Sequence, residues 1–408
     1  MKINITEKRL QYWVVLWIIL FSGSLYFNIL RIKLTMIIVG ITILYVAMRF
    51  NAISRKNFIY VLTWLGISGI SSVVNIQYGL DINEIILFAE KLMFVATAAS
   101  FMSFDCYKTK FVNIMAFEAA LSVICFLYVD VFAISALPLQ EHVNIAANGY
   151  YLTPYYTVGW EISPLLHRNA GIFSEPGAHQ ICLNYALLYL MSDSKQLNLS
   201  NGRYYFSIIS LVVAIFTTMS TSGYLCLGVV IISSMVAKTE KGLSNDLRLK
   251  QKKNLFKLFA VFALIALYFV ESNFHIIEYK MSGAGSYATR MNETTVGYDL
   301  ALKRPLIGYG MFNASNVLRG YDIQYMSNGL ASFLIGTGLV VGGIFLLTYF
   351  LKLGKAMPYG ILFQICAFAV FLVCTNSSSG VLNPVNLIFI MNWLNPIEYG
   401  GNEETSFS

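Results

Sequence analysis

Residues 167–191 read HRNAGIFSEPGAHQICLNYALLYLM, a polar block followed directly by an apolar run. The run predicts a membrane helix, and Pro176 fits its first turn because proline lacks the N–H that would be left unpaired there. Arg168 and Glu175 then lie at the mouth of the helix, where charge is costly unless it is used. Glu175 also lies where the helix dipole presents partial positive charge. We interpret this block as the centre of an active site on one membrane face.

The composition predicts the class of protein. The chain is 57% hydrophobic and only 12% charged, with a mean hydropathy of +0.63. Apolar runs of about 17–25 residues recur along it, the length that spans a bilayer. We therefore predict an all-α polytopic integral membrane protein with a single transmembrane domain, residues 1–408. The six cysteines have no paired or metal-type spacing, which favours packing roles.

The apolar runs predict about twelve membrane helices. They lie at residues 12–29, 33–49, 58–76, 84–103, 111–136, 176–192, 204–219, 222–238, 255–271, 328–351, 357–375 and 383–397.

Lysine and arginine in the short loops predict the orientation. The segment 238–257 carries seven basic residues, and such loops stay in the cytoplasm. A cytoplasmic N-terminus satisfies this and puts two longer loops, 137–175 and 272–327, on the outer face. The polar tail 398–408 is then cytoplasmic.

The first outer loop is rich in aromatic residues. Aromatic planes suit the C–H faces of sugar rings, and an interfacial aromatic belt is an equally good interpretation. The residues are Tyr150, Tyr151, Tyr155, Tyr156 and Trp160.

The second outer loop offers cations next to a turn. Ser286 or Thr289 could cap a short helix with Arg290 and Glu293 on one face. The following segment, 302–310, reads LKRPLIGYG and supplies Lys303, Arg304, Gly308, Tyr309 and Gly310. A glycine-rich turn beside an arginine can hold phosphate through backbone N–H groups and a planar guanidinium, although an ordinary loop turn is the commoner interpretation.

Several polar groups interrupt the apolar runs. Ser222 lies in the break 220–223, and Asn328 begins the tenth predicted helix. Lys91 is an intramembrane cation that could hold an anionic lipid head group, pair with neighbours, or reach the interface. Glu118 is one of four acidic residues inside apolar runs. The histidines, including His179, show no metal spacing, and no nucleotide-binding loop occurs, so we expect chemistry without metal or cofactor.

Four motifs together resemble the Wzy-type O-antigen or capsular polysaccharide polymerases, in the superfamily that includes the O-antigen ligases. Residues 168–176 resemble the Arg…Gly…Glu-Pro block of these proteins, and 220–223 resemble their Thr/Ser-Ser-Gly turn. Thr289-Arg290 and the segment 303–310 resemble their Arg…Asn-Pro-Leu-x-Gly-x-Gly loop. The pattern spans about residues 165–350. Many ligases have His-Asn where this chain has Ser327-Asn328, which favours a polymerase.

The resemblance implies a GT-C-like bundle that transfers glycans at the periplasmic face of the bacterial inner membrane. The donor is a growing glycan on undecaprenyl diphosphate, and the acceptor is a lipid-linked repeat unit. A chain-length regulator and a flippase are possible partners, and nucleic acid is not. The product is O-antigen or capsule.

The resemblance and the chemistry together suggest roles for the candidate residues. Glu175 is the predicted base or acceptor-orienting group, with Arg168 and Arg290 completing the catalytic set. Arg304 joins the arginines in holding diphosphate. The other predicted substrate contacts are Lys303, Gly308, Tyr309, Gly310, His179, Ser222, Asn328 and Lys91. A structural salt bridge between Glu175 and Arg168 is the alternative to this catalytic role.

Two other functions compete with polymerisation. An O-antigen ligase would move a finished glycan to lipid A core. A flippase would move the lipid-linked unit across the bilayer, but transporters place polar groups at mid-membrane between two related halves. Here the candidate groups cluster in the outer loops and the halves differ.

The motif assignment makes a direct prediction. Arg168→Ala or Arg290→Ala should abolish long-chain glycan while the protein stays in the membrane, because either change removes a cation that binds diphosphate. Glycan gels and membrane immunoblots measure both quantities. Normal chain lengths in both variants would refute the assignment.

Overall fold

The computed structural model is mainly a bundle of antiparallel helices. It describes residues 7–24, 31–50, 54–132, 141–145, 148–153, 155–159, 168–192, 197, 199–240, 286–321, 323, 326–377 and 380–393. The helices are α1 (Glu7–Leu20), α2 (Arg31–Phe50), α3 (Arg55–Val74), α4 (Ile82–Phe101), α5 (Phe104–Phe126), α6 (Pro176–Ser192), α7 (Asn201–Thr217), α8 (Thr221–Glu240), α9 (Ser286–Lys303), α10 (Ala314–Arg319), α11 (Gly329–Ala356), α12 (Ile361–Ser377) and α13 (Pro384–Leu387).

Three helical stretches are long and apolar enough to cross a membrane: Arg55–Val74, Phe104–Val129 and Gly329–Ala356. Shorter apolar stretches lie at Ile37–Met48, Thr221–Ala237 and Ile361–Asn376. The chain is therefore a membrane protein, while the number of twelve spans stays a prediction. The predicted helix 255–271 lies outside the described residues.

Helix α6 occupies the centre of the bundle. Every side chain from Ala178 to Leu190 is buried, including His179, Gln180 and Asn184. A helix that is apolar on nearly all sides must be enclosed by others, and α6 packs against α5, α7, α8 and α12. Its bounds are those that the sequence predicted, 176–192.

The predicted helix 383–397 is not continuous in the described residues. The described part has only the four residues of α13 and a 3-10 turn at Ile388–Ile390. Side chains take over the hydrogen bonds that a helix would make. Asn383 Nδ2 donates to Ser22 O at 2.9 Å, and Ser22 Oγ accepts from Val385 N–H at 2.9 Å. This irregular segment is tolerated because it is buried in protein.

Helix α11 is broken near its first third. Gly338 has φ +74°, which interrupts the helical hydrogen bonds. The freed carbonyls of Ile335 and Gly336 accept N–H bonds from Tyr309 (2.8 Å) and Gly310 (3.0 Å). The segment 305–310 is thus inserted into the break and satisfies backbone groups that would otherwise be unpaired.

The same segment is fixed to the end of α3. Ser71 Oγ donates to Ile307 O at 2.6 Å, and Asn313 Nδ2 donates to Ser72 O at 2.9 Å. The break in α11 therefore lies next to the end of α3. Residues 339–356 continue through the bundle beside α3, where the rings of Trp64 and Phe345 lie 5.0 Å apart.

Residues 286–337 form a cap over this end of the bundle. Helix α9 lies alongside the start of α11, with Gly297 packed on Ala331 and Thr294 accepting a bond from Asn328 at 3.0 Å. The cap has its own apolar core, separate from that of the bundle. This core contains Leu300, Tyr309, Ala314, Val317, Leu318, Ile323, Met326, Ala331 and Ile335.

A small antiparallel sheet lies in the first outer loop, and the sequence analysis did not predict it. Its strands are β1 (Glu141–Ile145), β2 (Asn148–Leu152) and β3 (Thr157–Gly159), in the order β1-β2-β3. Tyr150 and Tyr151 of the predicted aromatic group lie in β2. Tyrosine, threonine and valine favour such a pleated surface. Trp160 lies outside the described residues.

The break in α11 predicts a pair of unequal alanine variants. Gly338→Ala should lower the free energy of unfolding by about 1–3 kcal/mol, because alanine is strained at positive φ and its Cβ would lie 2.8 Å from Pro305 O. Gly343→Ala, on the same helix with open space around it, should be neutral or stabilising. Thermal unfolding in detergent compares the two variants. Equal losses of stability would contradict the insertion of segment 305–310 into the break of α11.

Candidate active site

The polar block 168–175 folds into a tight turn over the end of α5 and α7. Asn169 fixes the turn. Its N–H donates to Thr217 O at 3.0 Å, and its side-chain Nδ2 donates to Ser122 Oγ at 3.1 Å and Thr217 Oγ1 at 2.8 Å. Its Oδ1 accepts the N–H of Gly171 at 2.9 Å. Asn169 is fully buried, so the fold determines where the neighbouring residues project.

A buried carboxylate lies beneath this turn. Glu118 on α5 is 6% exposed, and its Oε2 lies 2.8 Å from Nε2 of His179, which is 0% exposed. Its Oε1 accepts the N–H of Ile172 at 3.3 Å. The ring of Phe173 stacks on His179 at 5.3 Å. We therefore revise the predicted substrate contact of His179, because the imidazole is enclosed by protein groups.

Arg168 and Glu175 lie at the two ends of the turn. Both are half-buried. Arg168 Nε donates to Thr218 O at 3.0 Å, at the C-terminal end of α7, where the helix dipole favours a cation. Glu175 directly precedes α6, and its carbonyl accepts the N–H groups of Ala178 and His179. Glu175 is thus the residue next to the positive end of α6.

The tip of α1 connects the turn to Lys91. Gly23 O accepts both the N–H and the Oγ of Ser174, at 3.0 and 3.1 Å. Two residues earlier, the ring of Phe21 lies 5.8 Å from Nζ of Lys91 on α4. The structure therefore brings Lys91 towards the same region as Glu175.

Arg304 is held at the end of α3. Its Nη1 donates to Asn75 Oδ1, and its Nη2 donates to Tyr78 Oη at 3.1 Å. The guanidinium carbon also lies 5.3 Å from the ring of Tyr78 and 5.1 Å from that of Tyr309. The neighbouring Lys303 is exposed, with Nζ 5.9 Å from the Tyr321 ring. Arg304 thus stabilises the cap, and Lys303 is the more open cation.

The glycine turn 308–310 is not an open phosphate cradle in this structure. The N–H of Gly308 donates to Arg304 O at 3.1 Å, while those of Tyr309 and Gly310 donate to the broken helix. A Cβ at Gly308, which has φ +64°, would overlap the backbone of Ile335. We therefore correct the predicted role of these three amides in phosphate binding, because backbone carbonyls already occupy them.

The remaining predicted residues lie on α8, α9 and at the start of α11. Ser222 lies in the first turn of α8, where its Oγ bonds Ser220 Oγ at 2.9 Å. Asn328 Oδ1 accepts the N–H of Ala331 at 3.0 Å and so caps α11. The backbone of Arg290 lies in α9, and its side chain lies outside the described part of the chain.

The turn 168–175 and Arg304, which lie in the two segments predicted to face outward, lie at one end of the bundle. Helices α3 and α4 are antiparallel neighbours joined by residues 75–81, next to Arg304, and α5 runs back from the far end. The end of α5 therefore returns to the side on which α4 begins, where Ser122 binds Asn169.

The sequence analysis missed Asn169 and gave Glu118 no partner. Among the described residues, no cluster of three metal-ligating side chains occurs.

Residues 206–347 match the model of a family described as O-antigen ligase, Wzy_C. The match supports the ligase and polymerase superfamily. It runs from α7 into α11 and includes Ser222, Arg290, the segment 303–310 and Asn328, while the block 168–175 precedes it. Comparisons with curated proteins and with solved structures gave no match.

The Arg304 contacts predict a structural effect that Lys303 should not share. Arg304→Lys should lower the free energy of unfolding by about 1–2 kcal/mol, because lysine cannot reproduce both hydrogen bonds and the stacking between two rings. Lys303→Ala is the matched control and should change it little. Thermal unfolding in detergent measures both, and an unchanged Arg304→Lys would show that these contacts add no stability.

Proposed function

We propose that this membrane protein is a glycosyltransferase that polymerises undecaprenyl-diphosphate-linked repeat units into O-antigen or capsular polysaccharide at the periplasmic face of the bacterial inner membrane. The family match supports glycan transfer in the O-antigen pathway. The observation that carries the proposal is the placement of Glu175 and Arg168 on one buried turn, at the N-terminus of the central helix.

The proposed reaction is a metal-independent inverting displacement. Glu175 accepts the proton of the acceptor hydroxyl as its oxygen bonds to the anomeric carbon of the donor. The bond from that carbon to the diphosphate oxygen breaks, and negative charge develops on the leaving group. Arg168, Arg290 and the N-terminus of α6 stabilise this charge. Arg168 is suited to the task because its Nε bond to Thr218 orients the guanidinium.

Further cations fit a lipid-linked substrate with two anionic groups. Lys91 lies beside the tip of α1, which contacts the turn, and Lys303 is exposed on the cap. We propose that they help to hold donor and acceptor diphosphates. The aromatic first outer loop would bind sugar rings. A chain-length regulator and a flippase are the proposed protein partners.

The base assignment has a direct test. Glu175→Gln should slow extension of lipid-linked repeat units by about 10²–10⁴-fold, since the amide cannot take the proton. Purified protein in lipid nanodiscs and units from a strain lacking the protein give product ladders on gels. Glu7→Gln is the control, because Glu7 lies exposed at the start of α1 and bonds Gln11. Wild-type rates for Glu175→Gln would remove Glu175 as the base.

The description of the matched family favours a second candidate, an O-antigen ligase. A deletion strain separates the two functions. Loss of a polymerase leaves core carrying one repeat unit, whereas loss of a ligase leaves bare core. A flippase would move substrate without lengthening it in the nanodisc assay.

A further inference from the structure

Glu118 is a carboxylate within an apolar helix, where an ion must have strong partners to be tolerated. It lies on α5 and is 6% exposed. Its two oxygens bind different groups: Oε1 accepts the N–H of Ile172, and Oε2 lies 2.8 Å from His179 Nε2.

These two partners bracket the proposed base. Ile172 lies three residues before Glu175, and His179 lies four residues after it, one turn into α6. One carboxylate therefore holds both sides of the segment that carries Glu175. Since Arg168 begins the same segment, its position depends on the same contacts.

The turn is shaped around this carboxylate. Gly171 has φ +54°, and a Cβ there would overlap Glu118 Oε1 and lie 2.8 Å from His179 Cε1. Any larger residue would displace the carboxylate or the imidazole. The close approach of backbone and carboxylate leaves Glu118 enclosed, so it does not touch substrate.

We propose that Glu118, with His179, is a positioning residue that fixes the turn 168–175 so that Glu175 and Arg168 face the reacting groups. The inference rests on the proposed function for its kinetic consequence. It adds a role for a buried pair that the proposed mechanism does not use. It also gives His179 a function in place of substrate contact.

Glutamine is the conservative replacement. Both ring nitrogens of His179 face acceptors, Glu118 Oε2 and, at 3.4 Å, Asn169 O. With Glu118→Gln, the ring Nδ1–H can donate to Asn169 O and Nε2 can accept from the new amide N–H, while the amide oxygen still accepts from Ile172. Glu118→Ala removes both bonds.

The two variants should therefore differ in turnover. In the nanodisc assay, Glu118→Ala should lower kcat by about 100-fold, the effect of a small misplacement of catalytic groups, with KM for the lipid-linked unit within about threefold. Glu118→Gln should keep kcat within about threefold. A residue with a purely structural role would not lower kcat at nearly constant KM in the alanine variant and keep kcat in the glutamine variant. Equal turnover in Glu118→Ala and wild type overturns the inference, as does equal loss in both variants.

Amide hydrogen exchange tests the anchor without any enzyme assay. Peptides covering 168–175 should exchange faster in Glu118→Ala and at the wild-type rate in Glu118→Gln. Asp105→Ala is the matched control, because Asp105 lies at the far end of α5 and pairs with Lys108 at 2.7 Å. Unchanged exchange in Glu118→Ala refutes the anchor. If wild-type protein extends no glycan while exchange behaves as expected, the proposed function fails and the anchor stands.

Gly171→Ala tests the same contact where Glu118→Ala folds poorly, and the two changes together form a double-mutant cycle. Gly171→Ala alone should speed exchange of 168–175, because its methyl group collides with the carboxylate. Added to Glu118→Ala, it should have a smaller effect, since the collision is gone and only the strain of positive φ remains. Strict additivity in otherwise folded variants would contradict the proposed contact.

Discussion

The candidate site depends on one carboxylate that the bundle removes from water. An ion in such a place is stable only when hydrogen-bonded on every side. Glu118 meets this need with two partners, the imidazole of His179 on α6 and the backbone N–H of Ile172 on the turn. The hydrogen bonds that stabilise the carboxylate therefore also fix the shape of the turn. The position of Glu175 follows from it, because the turn has little freedom left between these contacts and the bonds of Asn169.

The cap also depends on polar groups inside the protein that find partners elsewhere in the chain. Gly338 breaks α11, and the segment 305–310 provides the partners that the break removes. Arg304 then fastens this segment to the end of α3. The segments 168–175 and 305–310 are thus both held by polar groups that would otherwise be unpaired inside protein.

The sequence predicted the central helix well because α6 is apolar on nearly all sides, and its start is marked by Glu175-Pro176. It predicted that Glu175 directly precedes this helix for the same local reason, but it did not predict the bond of Arg168 to the end of α7. It could not show which acceptors the amides of Tyr309 and Gly310 meet, since these acceptors, Ile335 O and Gly336 O, lie on α11. His179 was assigned to substrate because its partner, Glu118, is 61 residues away. The short α13 was missed because hydrogen bonds between its first residues and Ser22, which follows α1, replace those of a longer helix.

The irregular segment 383–392 has a consequence for assembly. Asn383 binds Ser22 O next to α1, and Asn392 exchanges two hydrogen bonds with Asn57 at the start of α3. Residues 383–392 thus bind groups next to α1 and at the start of α3, 335 to 361 residues earlier in the chain. Because the irregular backbone of this segment is satisfied by those early residues, the contacts that join the two can form only after residues 383–392 have been synthesised.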